Sequence, residues 1–268
     1  MPGDFGQDTV EAPEPAVGQF LVRTIWLSLD PYLRNVMKGH ALYGVALQPG
    51  EPMHGESVAE VVDSRHPDFA AGELVLLTSG WQEYALSNGA GVRKVDPALA
   101  PVSTALGVLG MPGLTGYAGL VYLGEPRPGQ TVLVSAATGP VGSTVGQVTR
   151  LTGARAVGIA GSDAKCRYAV EELGFEACIN YKSGDLRASI KQACPDGVDV
   201  YFDNAGGEVL AAALASAGAR RRMRCRRGLI RRHQPRKRLT PSIRPGTSAG
   251  RGTTSEAARR RAARPVPE

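Results

Sequence analysis

The chain has 268 residues, enough for two domains and a sizeable core, and 43% of them are hydrophobic, which suits a globular protein. No apolar run approaches the roughly eighteen residues of a membrane span, and the N-terminus carries no signal-peptide pattern, so a cytosolic protein without membrane contact is expected. The net charge of +6 hides two unlike parts: residues 1–218 hold 14 Lys+Arg against 23 Asp+Glu, and residues 219–268 hold 17 against 2.

Residues 1–19 are polar and proline-rich. Phe20 to Leu27 reads as a strand, and Asp30-Pro31 as the cap and first position of a short helix. Residues 55–63 alternate apolar and polar like a half-buried strand. Leu74 to Leu77 is another strand, followed by a further segment at 81–85. Short strands with Gly and Pro punctuation predict a small β-rich domain over residues 1–108. The rhythm then changes. Strands at 131–135, 155–160, 177–180 and 198–202 alternate with helices at about 142–152, 163–173, 185–193 and 207–217. Repeated βα units predict an α/β fold with a doubly wound parallel sheet, here over residues 109–217. From residue 218 neither period persists. Arg220-Arg221-Arg222, Arg226-Arg227, Arg231-Arg232 and Arg259-Arg260-Arg261 alternate with Pro, Gly, Ser and Thr, which predicts a disordered basic tail over 218–268. The four cysteines, Cys166, Cys178, Cys194 and Cys225, show no metal or disulfide spacing and read as reduced residues in or near a core.

The most informative stretch is Thr131 to Gly146. An apolar β-branched run enters a turn of small residues, Ala137-x-Gly139-x-x-Gly142, and a helical pattern follows. Strand, glycine turn and helix form the context of a dinucleotide fingerprint, with alanine at the first glycine position. Gly139 is expected to make the sharp turn and to approach a pyrophosphate together with Pro140, Val141 and Gly142. Gly142 and Gly146 are expected to seat the helix against the strand. The helix N-terminus offers N–H groups and the positive dipole end. The alternative is an ordinary βα turn of small residues.

The second strand of such a fold chooses the cofactor, because an NAD site places a carboxylate about twenty residues after the glycine turn. Here the strand ends in Gly161-Ser162 without an acid. Ser162 and Lys165 suit a ribose 2′-phosphate, which points to NADP. Asp163 reads either as a helix cap or as a displaced NAD acid, and Lys165 alone reads equally as a solvated helix lysine.

These residues resemble the zinc-free branch of the medium-chain dehydrogenase/reductases, the NADPH-dependent alkenal double-bond reductases and prostaglandin reductases. The matching stretches are LSLDPYLR at 27–34, GWQEYAL at 80–86, MPGLTGYAGL at 111–120, AATGPVGSTVGQ at 136–147, AGSDAKC at 160–166, LGFEACINYK at 173–182 and CPDGVDVYFDNAGGEVL at 194–210. The resemblance implies a GroES-like domain beside a partial Rossmann domain. It also implies hydride transfer from NADPH to the C=C bond of an enal or enone, and a homodimer in intact members. It makes Gly139 to Gly142 the pyrophosphate cradle, Lys165 and Tyr181 the 2′-phosphate contacts, Asn204 a cofactor contact and Tyr32 a substrate-side hydroxyl. Without the resemblance, Tyr181 and Tyr32 read equally as packing tyrosines. Quinone reduction is the alternative within enzymes. Outside them, the alternative is a cofactor-binding fragment whose tail attracts nucleic acid non-specifically.

No metal is expected. His54-Gly55-Glu56 superficially resembles the histidine element of zinc members, but residues 1–165 contain no cysteine. The resemblance stops near residue 217. The arginine-rich sequence beyond it reads as a shifted reading frame, with an evolved basic tail as the alternative, and the chain as written is expected to be impaired in turnover.

Overall fold

The computed structural model describes residues 5–37, 47–48 and 50–216. The basic stretch 218–268 therefore lies outside the described residues. Two sheets of different kinds organise the rest.

The first is antiparallel, in the order β4-β1-β2-β3-β5. Its strands are β1 (Phe20–Leu27), β2 (Ser57–Ser64), β3 (Leu74–Leu77), β4 (Tyr84–Ser87) and β5 (Arg93–Lys94). A four-residue helix, α1 (Leu33–Val36), follows β1. Phe20, Val22, Ala59, Val61, Val75 and Leu77 form the core on one face. Phe20 stacks on Phe69 with ring centroids 4.5 Å apart. The segment expected at 81–85 begins later, at Tyr84, because Gly80 (φ +77°) turns the chain and Trp81 N–H donates to the Met53 carbonyl at 2.7 Å.

A 3₁₀ turn (Val102–Leu106), helix α2 (Met111–Ala118) and a π-helical segment (Gly119–Gly124) then lead to the second sheet. That sheet is parallel. It is built from β6 (Thr131–Ser135), β7 (Arg155–Ala160), β8 (Ala177–Asn180) and β9 (Val200–Phe202), in the order β8-β7-β6-β9. The intervening helices are α3 (Pro140–Leu151), α4 (Asp163–Glu171), α5 (Leu186–Ala193) and α6 (Gly207–Ser216).

The sheet is buried on both faces, which is why its strands read as continuous apolar runs. Val132, Val134 and Ala156 face α3 and α4, whereas Leu133, Val157, Ile159 and Ile179 face α5 and α6. The chain adds strands outward from β6 to β8 and then crosses to the other side of β6 for β9. The strand order therefore reverses between β6 and β9. In open α/β sheets ligands bind at the carboxyl ends of the strands at such a reversal.

Candidate functional site

The turn after β6 is the first wall of the site. All five β6 residues are buried. The chain reverses at Ala136, a non-glycine residue at φ +49°. Gly139 is extended, with φ −74° and ψ 164°, so the sharp turn expected at Gly139 belongs to Ala136. A left-handed alanine costs about 1–2 kcal/mol. Ala136→Gly is expected to stabilise the protein by about 0.5–1 kcal/mol after the added backbone entropy of glycine, read as a rise of a few degrees in Tm by calorimetry.

Gly142 meets a hard constraint. A Cβ there would stand 2.3 Å from the Ala136 carbonyl oxygen and 2.9 Å from Ala137 Cα. Only glycine lets the first turn of α3 pass so close to the β6 turn. Gly146 serves a different neighbour, since its Cβ would fall 2.1 Å from the Phe175 ring, on the connection between α4 and β8. Gly139 is the N-cap of α3, and no side chain caps that helix. Pro140 occupies its first turn. Val141 packs into the core on the α3–α4 face.

The second wall is the end of β7. Ser162 caps α4, its hydroxyl accepting from Lys165 N–H at 3.3 Å. Asp163, one alternative for that cap, instead accepts from Asn180 Nδ2 at 2.8 Å. Gly161 is crowded from outside: a Cβ on it would meet Tyr181 Cε1 at 3.2 Å, the Tyr181 hydroxyl at 3.5 Å and Lys182 Cε at 3.7 Å. Lys182 Nζ lies 5.9 Å from the Tyr181 ring centroid. A phenol and an ammonium therefore converge over the point where an NAD site holds its acid.

The third wall is the end of β9. Asp203 is 5% exposed, and its carboxylate gathers the β9–α6 turn. It accepts from the Tyr201 hydroxyl at 2.9 Å, Gly206 N–H at 2.9 Å, Ala205 N–H at 3.2 Å and the Ser135 hydroxyl at 3.3 Å. Asn204 Nδ2 donates to the Ser135 carbonyl at 3.0 Å, and Asn204 N–H donates to the Ser135 hydroxyl at 2.7 Å. The ends of β6 and β9 are thus tied together at the reversal. Removing the acceptor strands several buried donors, so Asp203→Ala is expected to cost roughly 2–4 kcal/mol, measured as a lowered urea midpoint.

A cavity of about 1050 Å³ opens between these walls. Gly139, Lys165 and Tyr181 line it. Pro140, Val141, Gly142, Ser162 and Asn204 are not on its lining, although Gly142 and Asn204 brace lining residues. Lys182 and Arg187 also line it and were missed in the sequence reading. The available signal was a Tyr-Lys pair, Tyr181-Lys182, directly after the strand that ends in Asn180. Asp185, on the same wall, caps α5 by accepting from Arg187 N–H at 2.9 Å. Three cations, Lys165, Lys182 and Arg187, and two carboxylates, Asp185 and Glu208, surround a groove that begins at a helix N-terminus. The residues fit a dinucleotide that carries a 2′-phosphate.

Tyr32 stands apart from this cavity. It is half-buried, in a turn where the Ser28 hydroxyl donates to Asp30 at 2.7 Å. Glu56 is also half-buried, and burial, with Asp30 nearby, holds its carboxyl above the usual range. Among the described residues no group of three His, Cys, Asp or Glu side chains is placed to hold a metal.

Two family models match the chain, one described as the N-terminal domain of oxidoreductase over residues 2–95 and one as zinc-binding dehydrogenase over residues 140–223. NADPH-dependent curcumin reductase of Escherichia coli is 45% identical over 214 residues, covering 80% of this chain and 62% of that protein. Prostaglandin reductase 1 of Bos taurus is 44% identical, covering 76% and 61%. The crystal structure of CurA from Vibrio vulnificus in complex with NADPH superposes with a TM-score of 0.76 at 41% identity, covering 81% of this chain and 64% of that one. The chain thus spans about three fifths of the length of the curated relatives it matches. Its two sheets, its glycine turn and this likeness make it a member of the medium-chain dehydrogenase/reductase family, in the branch of the alkenal double-bond and prostaglandin reductases.

Proposed function

We propose that the described residues form the NADP-binding part of an oxidoreductase that reduces the C=C bond of an α,β-unsaturated aldehyde or ketone. The observation that carries the reading is the placement of Tyr181 and Lys182 over Gly161, with Lys165 on the same wall. A carboxylate there would repel a 2′-phosphate, whereas two ammonium groups and a phenol attract it. NADPH, when bound, supplies the hydride. The chain supplies the rest. The turn at Ala136 to Gly139 and the first N–H groups of α3 face the pyrophosphate. Asp203 and Asn204 fix the ends of β6 and β9, where the reacting end of the cofactor would lie. In this reading Tyr32 offers its hydroxyl to the substrate oxygen from the turn between β1 and α1.

The test measures NADPH consumption with a 2-alkenal, an enone and a quinone. It uses the 268-residue chain and a version continued after residue 217 with the corresponding segment of the Escherichia coli curcumin reductase. The expected result is a saturated carbonyl product from the enal or enone in the continued version. Reduction of the quinone alone would sink the reading.

A further inference from the structure

We propose that Cys166 and Cys178 form a dithiol modification site, which a hydroperoxide closes to a disulfide between α4 and β8. Twelve positions separate them in the sequence, and only the fold brings them together. On β8, Ile179 joins the core facing α5 and α6, so Cys178 points to the opposite face, where it packs with Ala156, Ala169 and Phe175. Its register partner is Gly158 of β7, and its Sγ stands 3.0 Å from where a Gly158 Cβ would be. The absent side chain leaves room for the sulfur. On α4, Ala169 is fully buried against this same face. Cys166 lies three residues earlier, on the same side of the helix. α4 packs on β8, which sets the Cys166 thiol beside Cys178.

Both cysteines are free and partly exposed, whereas Cys194 is buried beneath the other face. Cys178 packs against the core face between β7 and α4, so the peroxide meets Cys166 first and Cys178 is the resolving partner. Burial, with the Cys166 thiol beside it, pushes the Cys178 thiol upward, so Cys178 gives up its proton only as it attacks. In the first step Cys166 attacks the peroxide O–O bond, giving a sulfenic acid and one water. In the second, the Cys178 sulfur attacks the sulfenic sulfur. The S–S bond forms, hydroxide leaves, and the Cys178 proton completes a second water. Two thiols are oxidised and one hydrogen peroxide is reduced. The step requires no bound nucleotide.

The test treats the folded 268-residue chain with hydrogen peroxide, alkylates the remaining thiols and maps cross-linked peptides without reductant. The expected result is a Cys166–Cys178 link about tenfold more abundant than any other cysteine pair, reversed by dithiothreitol. In Cys178→Ser, a dimedone adduct should accumulate on Cys166 that the unmodified chain does not retain. A dominant link involving Cys194 or Cys225 would overturn the proposal. So would sulfinic acid on Cys166 without any link, or equal dimedone trapping in the two chains.

Discussion

Lys165→Ala is expected to lower NADPH affinity by about ten- to a hundredfold and to leave NADH affinity nearly unchanged, because a charge-assisted contact to phosphate is worth roughly 1.5–3 kcal/mol. Lys165 sits in the first turn of α4, capped by Ser162, and lines the cavity. Its ammonium has no counterpart to meet in NADH, whose ribose carries only a hydroxyl at the 2′ position. Lys182→Ala is expected to act in the same direction, since its stem lies beside Gly161. Fluorescence titration with the two cofactors separates the outcomes. An equal loss for NADPH and NADH would mean that Lys165 supports the helix rather than the phosphate.

Gly142→Ala is expected to be the most disruptive small substitution in the site. The new methyl would meet backbone at 2.3 Å, and the Ala136 carbonyl cannot swing away as a flexible side chain would. Either the first turn of α3 lifts from β6 or the turn at Ala136 rearranges. Overpacking against a fixed neighbour costs about 1–3 kcal/mol, occasionally more, and here the displaced atoms are also those facing the pyrophosphate. We expect a Tm lower by several degrees together with loss of both NADPH and NADH binding. The pattern differs from that of Lys165→Ala, which spares NADH and stability. Wild-type Tm and affinity in Gly142→Ala would show that the turn tolerates a wider spacing than its geometry allows.

The parallel sheet was legible because its strands are buried on both faces. The runs at 131–135, 155–160 and 177–180 match β6, β7 and β8 at both ends. The fourth strand is shorter than the expected 198–202. Asp199 turns its carboxylate to accept from Thr131 N–H at 2.9 Å, so the strand opens at Val200. α2 was not read as a helix. Pro112, Gly113 and Gly116 are weak helix formers, so local propensity argues against it. Tertiary contact explains them: a Cβ on Gly113 would fall 1.8 Å from the Val108 carbonyl oxygen, and one on Gly116 would fall 3.0 Å from the Val141 carbonyl oxygen, over α3. Such close approach leaves no periodic signature. Lys182 was invisible for a related reason. Its position over Gly161 depends on the register that pairs Ala160 with Asn180, and side-chain pattern does not specify register between two buried parallel strands. The Cys166–Cys178 pair is legible only from the same register.

The most direct test of the 2′-phosphate reading removes the nicotinamide and keeps only the adenine half. Calorimetric titration of the 268-residue chain with 2′,5′-ADP and with 5′-AMP isolates the one phosphate that Lys165, Tyr181 and Lys182 are argued to hold. The expected result is 2′,5′-ADP binding tighter by about tenfold or more, with the advantage shrinking as salt is raised, as charge-assisted contacts at an exposed site require. Equal affinity for the two nucleotides would contradict the assignment of this cavity to NADP.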